Sequence, residues 1–265
     1  MLQLKRYLYI ILLFICVKSQ SQTKTNNTLF DTTFKVVHVF VALCDNQYQG
    51  IVPVPAAIGN GQNPANNLYW GCSFGIYAYF KNSKEWQVVE REKLNDMKLE
   101  RLILKHTSKK YYLIADAYNG KYIKQCTKDF LYSCSGQIKD TIHINNNKIG
   151  ISGNAKLIAY IGHNGLMDFE LAESFNNVDE QRRDCIILAC VSKKYFAPYI
   201  KNAKANPLVW TTGLMCPEAY TLHYALTEYV NEKSLEAIII QAARAYAKYQ
   251  KCGEKAAKKL LVQGW

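Results

Sequence analysis

Residues 156–192, KLIAYIGHNGLMDFELAESFNNVDEQRRDCIILACVS, hold two short apolar runs, Leu157–Ile161 and Cys185–Ala189, and each leads into a reactive side chain, His163 and Cys190. Apolar runs of this length, rich in Ile and Leu and without polar alternation, fit strands of a parallel sheet buried on both faces. On that reading His163 and Cys190 leave the sheet at the same edge. The carboxyl ends of strands in open α/β sheets form the ligand crevice. A side chain suited to proton transfer and one suited to nucleophilic attack would therefore meet there.

Upstream, Lys35–Cys44 (KVVHVFVALC) is β-branched, aromatic and continuously apolar, and reads as the first strand. Asp45–Asn67 is a long connection with Pro53, Pro55, Pro64, Gly59 and Gly61, and long ordered loops after a strand often carry function. It leads into a helix over residues 67–80, with Asn66 or Asn67 as N-cap and Gly71 and Gly75 sharing a face against the sheet. Short strands follow at 87–90, 99–106 and 111–115, then a helix over 121–132 and a peripheral hairpin over 137–151. Asp116 ends the 111–115 strand, where it either lines the crevice or opens a turn. Downstream, 191–205 reads as helix and 207–211 as one more buried strand. Next comes Gly213, which permits an unusual backbone turn. Residues 218–230 and 234–265 are helical, with Gly253 breaking the last stretch. Strands alternating with helices from 35 to 230 argue a three-layer α/β sandwich with a mainly parallel sheet.

The N-terminus has Lys5 and Arg6, an apolar stretch from Tyr7 to Val17 and a polar exit, the layout of a secretory signal peptide over 1–21. A polar leader over 22–34 and a single domain over 35–265 would follow. The stretch is too short for an ordinary membrane-spanning helix, so no transmembrane span is expected once it is removed. A secreted, periplasmic or cell-envelope location is the corresponding expectation.

The chain carries 33 Lys and Arg against 21 Asp and Glu. No basic block is interleaved with stacking aromatics, which argues for a solvated basic surface rather than nucleic-acid binding. Eight of the nine cysteines lie beyond the signal, at irregular spacing with no C-x-x-C pair, which argues against a zinc site. No metal or cofactor is expected. Three other histidines read as structural or exposed: His38 inside the first strand, His143 in the hairpin and His223 within a helix.

A cysteine attacks carbonyls as its thiolate, and Cys190 stands at a strand end just before a helix, whose N-terminal partial charge favours negative charge. His163 on the neighbouring strand end would take the thiol proton and later protonate the leaving amine. The glycines in Gly162-His163-Asn164-Gly165 permit a tight turn and offer backbone N–H groups for an oxyanion. The competing description is a buried free cysteine beside an unrelated loop histidine. Cys185, the other thiol of the segment, sits at the opposite end of its strand from His163.

A strand ending in a Gly-flanked His, a connection, then a strand ending in Ala-Cys and a small or polar residue, resembles the clan of cysteine peptidases that includes caspases, metacaspases, clostripain, gingipains and legumain. Residues 39–68, VFVALCDNQYQGIVPVPAAIGNGQNPANNL, are similar to the first strand and following loop of caspase-like peptidases. The resemblance spans roughly residues 35–215. It implies His163 as catalytic histidine, Cys190 as nucleophile, Gly165 or Gly162 as the oxyanion donor, no cofactor, and a peptide or protein substrate. Family members place Gly directly after the His; here Asn164 intervenes, and the oxyanion assignment stays open. Two other functions fit the same scaffold: a non-catalytic module binding a partner in the crevice of residues 45–67 and 213–218, or an amide hydrolase or acyltransferase acting on a non-protein substrate. Oligomeric state is not readable from the chain.

Overall fold

The computed structural model describes residues 30–50 and 53–265. The expected signal peptide and most of the expected polar leader lie outside the described residues.

The strands are β1 (Lys35–Ala42), β2 (Trp86–Lys93), β3 (Lys98–His106), β4 (Tyr111–Tyr118), β5 (Lys139–Ile144), β6 (Asn147–Ser152), β7 (Leu157–Gly162), β8 (Asp184–Leu188), β9 (Asn206–Thr211) and β10 (Leu261–Val262). The helices are α1 (Ile76–Phe80), α2 (Ile123–Ser135), α3 (Ser192–Asn202), α4 (Ala219–Val230), α5 (Leu235–Gln250) and α6 (Glu254–Leu260). Eight strands form one sheet in the order β10-β9-β8-β7-β1-β4-β3-β2. The five central strands, β9 to β4, run parallel; β3, β2 and β10 add antiparallel edges. Strands β5 and β6 form a separate hairpin.

The unbroken apolar runs follow from burial on both faces. Val37, Val39 and Val41 of β1 join a core with α1, α4 and α5, while Val36 and Phe40 join a second core with α2, α3 and the hairpin. The layers are therefore helix, sheet, helix, an α/β sandwich with a mostly parallel sheet.

Three local expectations are corrected. The helix over 67–80 shrinks to the five residues of α1, because the preceding chain is folded into turns. Asn67 does not cap it; its side chain bonds both main-chain polar atoms of Cys44 and pins the turns to the end of β1. Gly71 lies in one of these turns, where a Cβ would collide with the Ala65 carbonyl. Second, β4 does not stop before Asp116 but continues to Tyr118, paired on both sides. Third, the helical stretch ends at Leu260, and Leu261 and Val262 pair antiparallel with β9. Gly253, at φ 77°, separates α5 from α6 as its left-handed backbone requires.

Candidate functional site

Strands β7 and β8 pair in parallel from Leu157 opposite Asp184 to Ile161 opposite Leu188. His163 lies two residues beyond Ile161 and Cys190 two beyond Leu188, so each follows the carboxyl end of one of two adjacent parallel strands. The chain leaves β7 through Gly162, whose φ of 139° suits glycine and whose Cβ position is blocked by the Ala42 carbonyl.

His163 is buried, with its Nε2 2.6 Å from Asp168 Oδ2. A one-turn 3-10 helix, Gly165–Met167, brings Asp168 back to the ring five residues later. Asn164 starts that turn: its Oδ1 accepts from Leu166 N–H at 3.1 Å and its carbonyl from Met167 N–H at 3.0 Å. Gly165 leaves room for the Phe169 ring, which a Cβ would meet at 2.5 Å. Asp168 Oδ2 also accepts the Gly50 N–H at 3.0 Å, so the loop after β1 reaches the histidine. The His163 carbonyl takes the Tyr160 hydroxyl at 2.7 Å, fixing the main chain below the ring.

Cys190 is half-buried. Its sulfur lies 3.3 Å from the Met215 N–H nitrogen, which donates to it, and 3.4 Å from the Met215 carbonyl oxygen. The next residue, Val191, sits in the left-handed region at φ 50°, ψ 32°, and α3 starts immediately after it. Ser192 and Thr211 anchor this turn through a web of hydrogen bonds: Ser192 N–H donates to Thr211 Oγ1 at 3.0 Å, Thr211 N–H to Ser192 Oγ at 2.9 Å, and Thr211 Oγ1–H to the Ala189 carbonyl. The eleven residues of α3 therefore point their positive end toward Cys190.

Other thiols nearby are disfavoured as nucleophiles. Burial, then the neighbouring Asp45 carboxylate, pushes Cys44 up to about 12, and burial, then Glu218, does the same for Cys216. Cys185 is enclosed in the second core and pushed well above its ordinary value by burial.

Gly213 is drawn to the site, but not for an unusual backbone: its φ is outside the left-handed region, and its carbonyl accepts the Val191 N–H at 2.8 Å. Asp116 is not drawn to the site. It is fully buried within β4, held by Arg101 Nε at 2.7 Å, Arg101 Nη2 at 2.9 Å and His38 Nε2 at 3.2 Å. Ser152 N–H donates to His38 Nδ1, so Nε2 carries the proton that His38 donates to Asp116. Burial alone would raise the Asp116 carboxyl, but Arg101 and His38 overcome it and hold it well below the usual range. His38 is thus structural, as is His223, which bonds Ser83; His143 is exposed.

Three contributors were not anticipated from the sequence: Asp168, Asn164's side chain and the Met215 backbone. An Asx residue opening a turn was the one available sign that residues 164–168 fold back on His163. The bond from Met215 to Cys190 spans 25 residues and has no local signature.

Among the described residues no group of three or more His, Cys, Asp or Glu is placed to hold a metal ion, and no helix is long and apolar enough to cross a membrane. Compared with protein-family models, curated proteins and solved structures, the chain matches none.

Proposed function

We propose that the chain is a secreted, caspase-like cysteine endopeptidase in which Cys190 is the nucleophile and His163 the base. The observation that supports this reading is that His163 and Cys190 follow the carboxyl ends of the adjacent strands β7 and β8, with Asp168 hydrogen-bonded to the imidazole and Asn164 to the Cys190 carbonyl. With Nε2 turned to Asp168, Nδ1 is the nitrogen left for the thiol. His163 takes the Cys190 proton, the thiolate adds to the peptide carbonyl, and the resulting imidazolium protonates the departing amine. Water, deprotonated by the same ring, then hydrolyses the thioester and regenerates the thiol. Asp168 keeps the ring oriented and stabilises its charged form, a role that does not require the carboxylate itself to take a proton. For the tetrahedral oxyanion the candidate donors are Gly165, at the head of the 3-10 turn, and Gly162, a paired residue of β7.

The test is site-resolved iodoacetamide labelling of the reduced protein across pH, followed by a peptide-library screen. Cys190 should label fastest of the thiols near neutral pH, lose that advantage in His163→Ala, and the wild type should cleave peptides where Cys190→Ala does not. Slow labelling of Cys190, indifferent to His163, would leave a non-catalytic binding module on this scaffold.

A further inference from the structure

We propose that Asn164 is a positioning residue for the nucleophile: together with the Gly213 carbonyl it clamps the Cys190–Val191 peptide and holds the cysteine turn at the histidine. The inference rests on the Cys190–His163 reading above. Asn164 is fully buried, and both ends of its amide are used. Nδ2 donates to the Cys190 carbonyl at 2.7 Å while Oδ1 accepts from Leu166 N–H at 3.1 Å, so the bonding pattern also sets the amide's orientation. The same peptide unit is held at its other end, where Val191 N–H donates to the Gly213 carbonyl at 2.8 Å. One peptide plane is thus gripped from two loops, one after β7 and one after β9.

The grip has something to oppose. Val191 is a β-branched residue in the left-handed region, a conformation that persists only where the surroundings over-determine it. Releasing the Cys190 carbonyl would let this peptide rotate, and with it the backbone that places the sulfur beside the Met215 N–H. Asn164 is also the residue directly after His163. A shift of the base-carrying loop therefore moves the clamp on the nucleophile, which ties the two halves of the site into one geometry.

The experiment uses the full chain with site-resolved mass spectrometry of iodoacetamide labelling at neutral pH, in wild type, Asn164→Ala, Asn164→Asp, His163→Ala and each combined with His163→Ala. Unfolding temperature is recorded for every variant. Asn164→Asp retains the volume and the Oδ1 acceptor for Leu166 but removes the donor to Cys190, so it decides the matter if Asn164→Ala does not fold. The expected result is a labelling rate at Cys190 at least ten-fold below wild type in either Asn164 variant, with no further loss when His163 is already Ala, because the clamp acts through the pair. A merely structural role predicts the opposite sign: a loosened turn exposes the sulfur and leaves its labelling unchanged or faster, which would overturn the inference while wild type still labels fast. Slow wild-type labelling that ignores His163→Ala would instead overturn the Cys–His reading and this inference with it.

Discussion

Val191 concentrates the cost of the site in one residue, since a left-handed β-branched backbone is about 1–2 kcal/mol above the right-handed alternative. Val191→Gly should therefore raise thermal stability, by up to about 1 kcal/mol once the extra freedom of the unfolded glycine is counted. The same change should leave Cys190 labelling unchanged, because Asn164 and the Gly213 carbonyl still hold the peptide and the strain they oppose is gone. A fall in melting temperature would show that the Val191 side chain contributes more by packing than its backbone costs. At Asp168, the carboxylate makes the only hydrogen bond to the His163 ring found among the described residues. Asp168→Ala should lower peptide-cleavage kcat/KM by about 10²-fold or more, with a smaller effect on melting temperature because its side chain is a quarter exposed. Equal activity in this variant would remove Asp168 from the mechanism.

Between elements, the positions of β7 and β8 decide where the site lies, and Gly162 is the joint that turns the chain out of the sheet. Gly162→Ala combines a φ of 139° with a collision against the Ala42 carbonyl, and should destabilise the fold by about 3 kcal/mol in denaturant titration. Strands β1, β3 and β4 are cross-linked by the buried His38–Asp116–Arg101 cluster. The sign of its pH dependence follows from direction alone. The folded Asp116 carboxyl is held below its unfolded value of about 4. Its contribution is therefore complete above pH 4 and is lost as pH falls below it, because the unfolded state then binds a proton that the folded state does not. His38 is lowered chiefly by burial, so the unfolded chain also takes up its proton first as pH falls through about 6.5, and stability declines there too. Asp116→Asn should cost about 3–5 kcal/mol at neutral pH, since it leaves Arg101 buried without its carboxylate, and should flatten the acid limb of the melting-temperature profile. An unchanged acid limb would assign that limb to other carboxylates.

Across the whole molecule, a single sheet serves two cores, and strand residues alternate between them. Phe130, on α2, and Leu226, on α4, are each fully buried on opposite faces. Phe130→Ala should cost about 3–5 kcal/mol and Leu226→Ala about 2–5 kcal/mol. At about 2–4 °C per kcal/mol, either change lowers one common transition, because neither helical layer has a core without the sheet. A transition that splits in two in either variant, seen by calorimetry, would show the layers to be independent.

The sequence by itself determined what depends on neighbours along the chain. The unbroken apolar runs at Leu157–Ile161 and Cys185–Ala189 required strands buried on both faces. Their alternation with helices required a layered sheet, and the positions of His163 and Cys190 just beyond those runs placed them at one edge. Tertiary structure decided what depends on partners distant in sequence. Asp116 reads locally as a turn former, yet it is accommodated inside β4 because Arg101 and His38 arrive from adjacent strands to neutralise it. Residues 261–262 continue a helical pattern, yet the open edge of β9 takes them as a strand. Asn164 reads as an interruption between His163 and Gly165; its hydrogen bond to the Cys190 carbonyl, 26 residues away, exists only in the folded chain. A side-chain hydrogen bond leaves no periodic trace in sequence, whereas burial on both faces of a sheet does.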